Sequence, residues 1–116
     1  MPPTDSFALG AFRALLDLHD NLMDAGMAEA GYHALTAAMH CAESSGDREQ
    51  LQLVVERAEL RQRQLDGQRP PHRLSTKQAE WRAHTPVFAS LILTANAVLV
   101  RLKADAIRAQ SIAKLR

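Results

Sequence analysis

The last thirty residues of the chain, from Val87 to Arg116, carry an unbroken pattern of apolar residues at helical spacing. Nine large apolar side chains fall between Val87 and Leu102. Their burial would stabilise a fold by roughly 10–25 kcal/mol before any entropy cost. A helix over the whole span is about 45 Å long, whereas the other predicted helices measure about 27–30 Å. The chain must therefore fold around one helix that is longer than its neighbours.

The end of this long helix projects about ten residues beyond the bundle that the shorter helices can form. An amphipathic helix that overhangs its own domain needs a partner, and a frayed C-terminus is the alternative. In this overhang, Ala106, Ala109 and Ala113 share a seam with Leu99 and Leu102, and the large apolar residues are Ile107, Ile112 and Leu115. We therefore expect Ile107, Ile112 and Leu115 to bind a partner.

Glycine, proline and capping residues divide the rest of the chain into shorter helices. The predicted helices run from after Thr4 or Asp5 to Gly26, from Met27 to Ser45, from Arg48 to Leu65, and onward from the capping box Ser75–Gln78. Pro86 either kinks the last of these helices or lies in the first turn of a new one. The sequence predicts a single all-α domain over residues 1–116, an antiparallel four-helix bundle whose long fourth helix is interrupted or kinked near Pro86.

Signals for export and for membrane insertion are not expected from this sequence. Residues 1–5 lack the basic and apolar regions of a secretory signal. The longest apolar stretch, Val87–Val100, spans 14 residues, and about 20 are needed to cross a bilayer. The single cysteine, Cys41, excludes an intramolecular disulfide and is predicted to be a small buried residue among alanines. We expect a cytoplasmic protein without a membrane partner.

Charge is divided between the two halves of the chain. Residues 1–56 have a net charge of −7 and residues 57–116 a net charge of +8. Three explanations are open: the halves pair within one chain, they pair between two subunits, or the basic half binds an anionic partner. The last explanation predicts an anion-binding cluster at Arg57, Arg61, Arg69 and Arg73. Single-stranded nucleic acid would also need interleaved aromatic residues, and the cluster has none.

A polar stripe runs along the second predicted helix, which is otherwise apolar nearly all round. Its members Glu29, His33 and His40 predict a groove for a small ligand, and an ordinary exposed face is the alternative. The two histidines lie about 10 Å apart along the axis, so one zinc ion cannot easily bind both. On the first helix, Asp17, Asp20 and Asp24 share one face, which is typical of a solvated surface.

No pattern in the sequence predicts catalysis. The chain lacks a nucleophile elbow, a phosphate loop, a dinucleotide fingerprint and a His-Glu-x-x-His zinc motif. We expect no enzyme, no cofactor and no metal. The favoured function is protein–protein interaction, in which a small helical bundle self-associates as a homo-oligomer or docks on a protein partner through its C-terminal helix and basic rim. A nucleic-acid-associated regulator is the alternative, and a ligand- or metal-binding bundle is a weaker one.

Overall fold

The computed structural model describes the backbone of residues 3–115 and the side chains of residues 6–115. These residues form five α-helices and no strand, which confirms the all-α prediction. The helices are α1 (Pro3–Asp24), α2 (Ala28–Ser45), α3 (Arg48–Asp66), α4 (Thr76–Trp81) and α5 (Val87–Lys114). The predicted starts and ends of the first three helices agree with these bounds to within about two residues.

Capping residues fix the helix ends where the sequence placed them. Gly46 ends α2 with a left-handed φ of 65°, a conformation that costs glycine little. The side chain of Asp47 accepts a hydrogen bond of 3.0 Å from the backbone N–H of Gln50 and so begins α3. Ser75 does the same for α4, accepting from the backbone N–H of Gln78 at 3.2 Å.

The predicted fourth helix is two helices, separated by the non-helical residues 82–86. Pro86 stands at the N-cap of α5 with φ −57°, because proline lacks the N–H that a helix interior requires. The short α4 is attached to the end of α3 through Asp66. The two carboxylate oxygens of Asp66 accept hydrogen bonds from the backbone N–H and the hydroxyl of Thr76, at 2.7 and 2.8 Å.

The core lies where α2 meets its neighbours. The three-residue link around Gly26 turns the chain so that α1 and α2 pack along each other, and α3 and α5 form the second close pair. α2 contacts both α3 and α5 and thereby joins the two pairs. The largest fully buried apolar side chains are Phe88, Leu35, Leu51 and Val54.

The molecule is elongated, with principal extents of 61 × 30 × 17 Å. The longest helix is α5, with 28 residues. Its buried residues are Phe88, Leu91, Ala95 and Val98. Leu102 is still half-buried, and beyond it α5 leaves the core. Among the described residues, the part of α5 after Leu102 thus extends past the core.

Candidate interaction surface

The terminal part of α5, residues 103–115, carries three exposed large apolar side chains. Ile107 is 63% exposed, Ile112 50% and Leu115 87%. Only Ala106 is half-buried in this segment. Since an isolated helix shorter than about 12–15 residues is marginal in water, such an overhang gains little stability by itself. We call residues 103–115 the overhang.

A second apolar face of α5 was not anticipated from the sequence. Leu93 is 67% exposed and Val100 68%, although both belong to the stretch expected to be buried. They continue at alternating steps of four and three residues into the overhang, a spacing that aligns side chains on one helix face. We call this exposed line the α5 stripe; it consists of Leu93, Ala97, Val100, Ala104 and Ile107. The sequence did contain a signal for this second face, because apolar residues recur at steps of four and three on two faces of this helix.

The same helix has the length and composition of a membrane span. Among the described residues, Val87–Lys114 alone reaches that criterion, with a mean hydropathy of 1.6 and 22% of the window buried. Core helices of soluble proteins reach it too, but they are mostly buried. The prediction that this chain does not span a membrane was based on the 14 apolar-rich residues Val87–Val100. The helix α5 that contains them has 28 residues. The low buried fraction of this helix is due to the exposed α5 stripe and the exposed overhang.

A groove of about 610 Å³ separates α5 from the start of α3. Arg48 and Gln52 of α3 line one wall, and Leu99 and Lys103 of α5 line the other. This arrangement places the first turn and a half of α3 level with the point at which α5 leaves the core. Another side of α3 is also partly apolar: Leu53 and Leu60 are each 37% exposed, and Leu53 lines a separate groove with Leu9 and Phe12 of α1.

The predicted anion-binding cluster does not assemble as one surface. Arg57 and Arg61 both turn toward the carboxylate of Asp20, and Arg61 is 8% exposed. The Arg61 Nη2 to Asp20 Oδ1 distance is 2.6 Å. Arg69 is exposed and donates to a neighbouring backbone carbonyl. The solvated aspartate face predicted for α1 is thus wrong at Asp20, which is the acceptor for two arginines.

Charge pairing joins the acidic and basic halves within the chain. Arg73 lies 2.8 Å from a carboxylate oxygen of Glu29, and Arg101 lies 3.2 Å from one of Glu43. Together with the Asp20 pairs, every ion pair that the described side chains form between distant residues links the two halves. Because Arg57 and Arg61 pair with Asp20, they are not free cations that could bind a nucleic acid.

A buried polar cluster, which sequence reasoning missed, connects three helices. His19 is fully buried; its Nδ1 donates to the backbone carbonyl of Gly31 at 2.6 Å. Its Nε2 accepts from Nε–H of Arg61 at 3.1 Å, and Arg61 Nη1 donates to Gln64 at 3.0 Å. Nε2 has no free lone pair for a proton in this arrangement, so the ring is neutral.

The titration of this cluster follows from its surroundings. Burial lowers the pKa of His19, the nearby Arg61 charge adds to that, and the Gly31 hydrogen bond opposes it. Burial acts to raise the pKa of Asp20, but the hydrogen bonds and charges of Arg57 and Arg61 together outweigh it and lower that pKa. The cluster therefore holds a neutral imidazole beside an ionised carboxylate. Its partners are all internal, so it supports the fold and presents nothing to a ligand.

The predicted ligand stripe lies on an open surface. His33 and His40 are both exposed, and Glu29 is paired with Arg73. His33 stacks on Tyr32 with ring centroids 5.1 Å apart. Exposed imidazoles on one helix do not enclose a small molecule. Cys41, expected to be buried, is half-buried. Within residues 6–115, no three His, Cys, Asp or Glu side chains converge as a metal site.

Comparisons of this chain with protein-family models, with curated proteins and with solved structures found no match. The surfaces of the molecule therefore carry the information on its function. The apolar surfaces on α5 are its most distinctive feature.

Proposed function

We propose that this chain acts by protein–protein interaction, and that the overhang of α5 is the segment that binds. The observation that carries the proposal is the exposure of Ile107, Ile112 and Leu115 on the part of α5 that extends beyond the core. Contiguous exposed apolar surface of this kind marks a binding site or an aggregation hazard. A partner that covers the overhang would give it the tertiary packing from which helices draw most of their stability.

The same proposal includes the bundle arrangement and the setting. We propose that α1, α2, α3 and α5 form an antiparallel four-helix bundle, with α4 as a side element that closes the end of α3. The short links between the first three helices support this topology. We further propose that the chain works in the cytoplasm as a homo-oligomer or bound to a protein partner. A rigid bundle that presents one projecting helix suits a docking role.

Removing the overhang tests the proposal. Light scattering on the full chain at about 100 µM should report a mass above that of a monomer. Deleting residues 104–116, or introducing Ile107→Glu with Ile112→Glu, should return the mass to that of a monomer, because charge cannot be buried in an apolar contact. Leu18→Glu on α1 is the matched control, since Leu18 is 48% exposed and lies outside α5.

Two results would count against the proposal. One is a monomer in both the full and the shortened chain, with no protein partner retained on a column carrying the full chain. The other is a monomer that binds lipid vesicles through α5, which would assign the exposed apolar surface to a membrane.

A further inference from the structure

We infer that the α5 stripe packs against the α5 stripe of a second copy of this chain, with the two helices antiparallel and related by a two-fold axis. The inference rests on the proposed function, since it names a second copy as the protein that α5 binds. It goes further in assigning the contact to the stripe, which begins at Leu93, well before the overhang. It also fixes the direction and the register of the two helices.

The α5 stripe faces away from the core of its own chain. Four residues of α5 are buried: Phe88, Leu91, Ala95 and Val98. At about 100° per residue, they lie on the side of the helix opposite to the stripe. Leu93, Val100 and Ile107 on the stripe are exposed to a similar extent, 67%, 68% and 63%. A second α5 can therefore approach along the whole stripe without displacing the helices of the core.

Large and small residues alternate along this face. The large residues Leu93, Val100 and Ile107 recur every seventh position, and so do the small residues Ser90, Ala97 and Ala104. Two parallel helices would bring equivalent positions together, large against large, and would leave gaps at the alanines. In an antiparallel pair each large residue lies beside a small residue of the other helix, so every level of the contact is filled equally. The alternation therefore selects the antiparallel direction.

The length of the stripe limits the register. When the two-fold axis crosses α5 midway between Ala97 and Val100, each large residue has a small neighbour in the second copy. These contacts are Leu93 with Ala104, Val100 with Ala97, and Ile107 with Ser90, and the axis repeats each of them. A shift of one helix by seven residues in one direction would carry Ile107 past Val87, where α5 begins. That register leaves part of the stripe uncovered.

Charge excludes the shift by seven residues in the other direction. Antiparallel helices bring the same flank of both copies together. In the inferred register, Lys103 lies beside Asn96 of the second copy and Arg101 lies beside Thr94, so each cation meets a neutral residue. After the shift, Lys103 would lie beside Lys103 and Arg101 beside Arg101. Like charges in contact disfavour that register.

The other charged groups near the stripe are largely balanced. Two arginines pair within their own chain, Arg101 with Glu43 at 3.2 Å and Arg108 with Asp105 at 3.6 Å. Arg48 and Glu49, which line the groove beside Lys103, carry opposite charges. At each end of the contact, Lys114 lies level with residues 82–86, which include Arg82 and His84. Salt should therefore strengthen the dimer slightly, because it screens this repulsion.

The exposed area of the chain is large enough for such a dimer. The chain exposes 7481 Å², whereas a compact monomer of this mass exposes about 6,300 Å². The excess is roughly 1,200 Å², and a stable protein–protein interface covers about 800 Å² on each partner. A second copy can therefore cover the α5 stripe within the surplus area.

Cysteine cross-linking tests direction and register together. In a Cys41→Ala chain, Leu93→Cys and Ala104→Cys are made as separate variants. Mixed in equal amounts and oxidised, they should form a disulfide-linked heterodimer, because positions 93 and 104 of opposite copies are neighbours. Each variant alone should stay unlinked, since its two cysteines lie about 16 Å apart along the axis. Leu93→Cys mixed with Ser111→Cys is the register control and should also stay unlinked.

A substitution at a small position tests the close approach of the helices. Ala97→Leu should weaken the dimer about tenfold or more, because the added side chain occupies the space of Val100 from the second copy. Ala109→Leu is the matched control, since Ala109 is exposed on the same helix but lies off the stripe. Analytical ultracentrifugation measures the dissociation constants, and circular dichroism should show the same helix content in both variants.

Cross-linking of Leu93→Cys with itself, no cross-link in its mixture with Ala104→Cys, or a dimer unaffected by Ala97→Leu would each overturn the inference. A chain that stays monomeric at about 100 µM would overturn it as well. The overhang proposal would survive that last result if the full chain retains a protein partner. If association is lost on deleting residues 104–116 but survives Ala97→Leu, the overhang proposal stands and the pairing of the stripes is rejected.

Discussion

The side chain of His19 ties α1 to α2 and α3 through both of its ring nitrogens. The ring donates to the carbonyl of Gly31 and accepts from Arg61, and its edge meets the Phe88 ring with centroids 6.2 Å apart. A buried polar group whose partners are all satisfied helps to specify one arrangement of its neighbours. The cluster therefore fixes how the α1–α2 pair meets α3.

Stability should depend on pH through this imidazole. Because the folded pKa of His19 is lowered below its unfolded value of 6.5, the unfolded chain binds the proton more readily. The free energy of unfolding should be highest above about pH 7.5 and should fall as the pH drops below 6.5, levelling off below the folded pKa. Denaturant titrations from pH 8 to 5 measure this. Burial and the Arg73 charge also lower the pKa of His72, so His19→Gln should reduce the pH dependence and His19→Gln with His72→Gln should reduce it further. An unchanged slope in His19→Gln would refute the assignment.

Arg61 should be the most sensitive of the four arginines predicted to bind anions. Arg61→Ala removes the donors to His19, Asp20 and Gln64 at once and should lower the free energy of unfolding by about 2–3 kcal/mol. Arg69→Ala, at an exposed position, should change it by less than about 0.5 kcal/mol. Urea unfolding of the two variants compares them directly. Equal effects would mean that Arg61 contributes nothing beyond an ordinary surface charge.

At the scale of elements, the contact between α1 and α2 depends on a glycine. A Cβ added at Gly31 would lie 2.6 Å from Sδ of Met23, whereas one added at Gly10 would meet nothing within 4 Å. Both glycines are inside helices, where alanine is otherwise preferred by about 1 kcal/mol. The same substitution therefore has opposite expected effects at the two positions.

Gly10→Ala should raise the free energy of unfolding by about 0.5–1 kcal/mol, and Gly31→Ala should lower it by about 1 kcal/mol. Thermal unfolding of the two variants checks the difference. If Gly31→Ala is as stabilising as Gly10→Ala, Met23 yields without cost and the close approach of α1 and α2 has no role in stability.

For the whole molecule, local signals predicted more than long-range ones. Helix ends followed from residues that act on their own backbone, such as Asp47 and Ser75, and the break at Pro86 followed from its missing N–H. The internal use of Arg61 was not predictable, because its partners are 41 and 42 residues away in α1. The sequence did contain the apolar spacing of the Leu93 face, but not its exposure, since an apolar face has the same sequence pattern whether a core or a partner covers it.

If a partner covers the overhang, the amides of residues 103–115 should be protected, and hydrogen exchange measures this protection. An isolated overhang has no tertiary packing and should exchange quickly, because a helix of this length is marginal alone. We predict slow exchange of these amides at about 200 µM chain, with faster exchange on dilution toward about 1 µM as the contact dissociates. Fast exchange of residues 103–115 at every concentration, beside protected amides in α2 and α3, would rule out a second copy as the partner; the same result with no protein retained by the chain on a column would rule out a covered overhang.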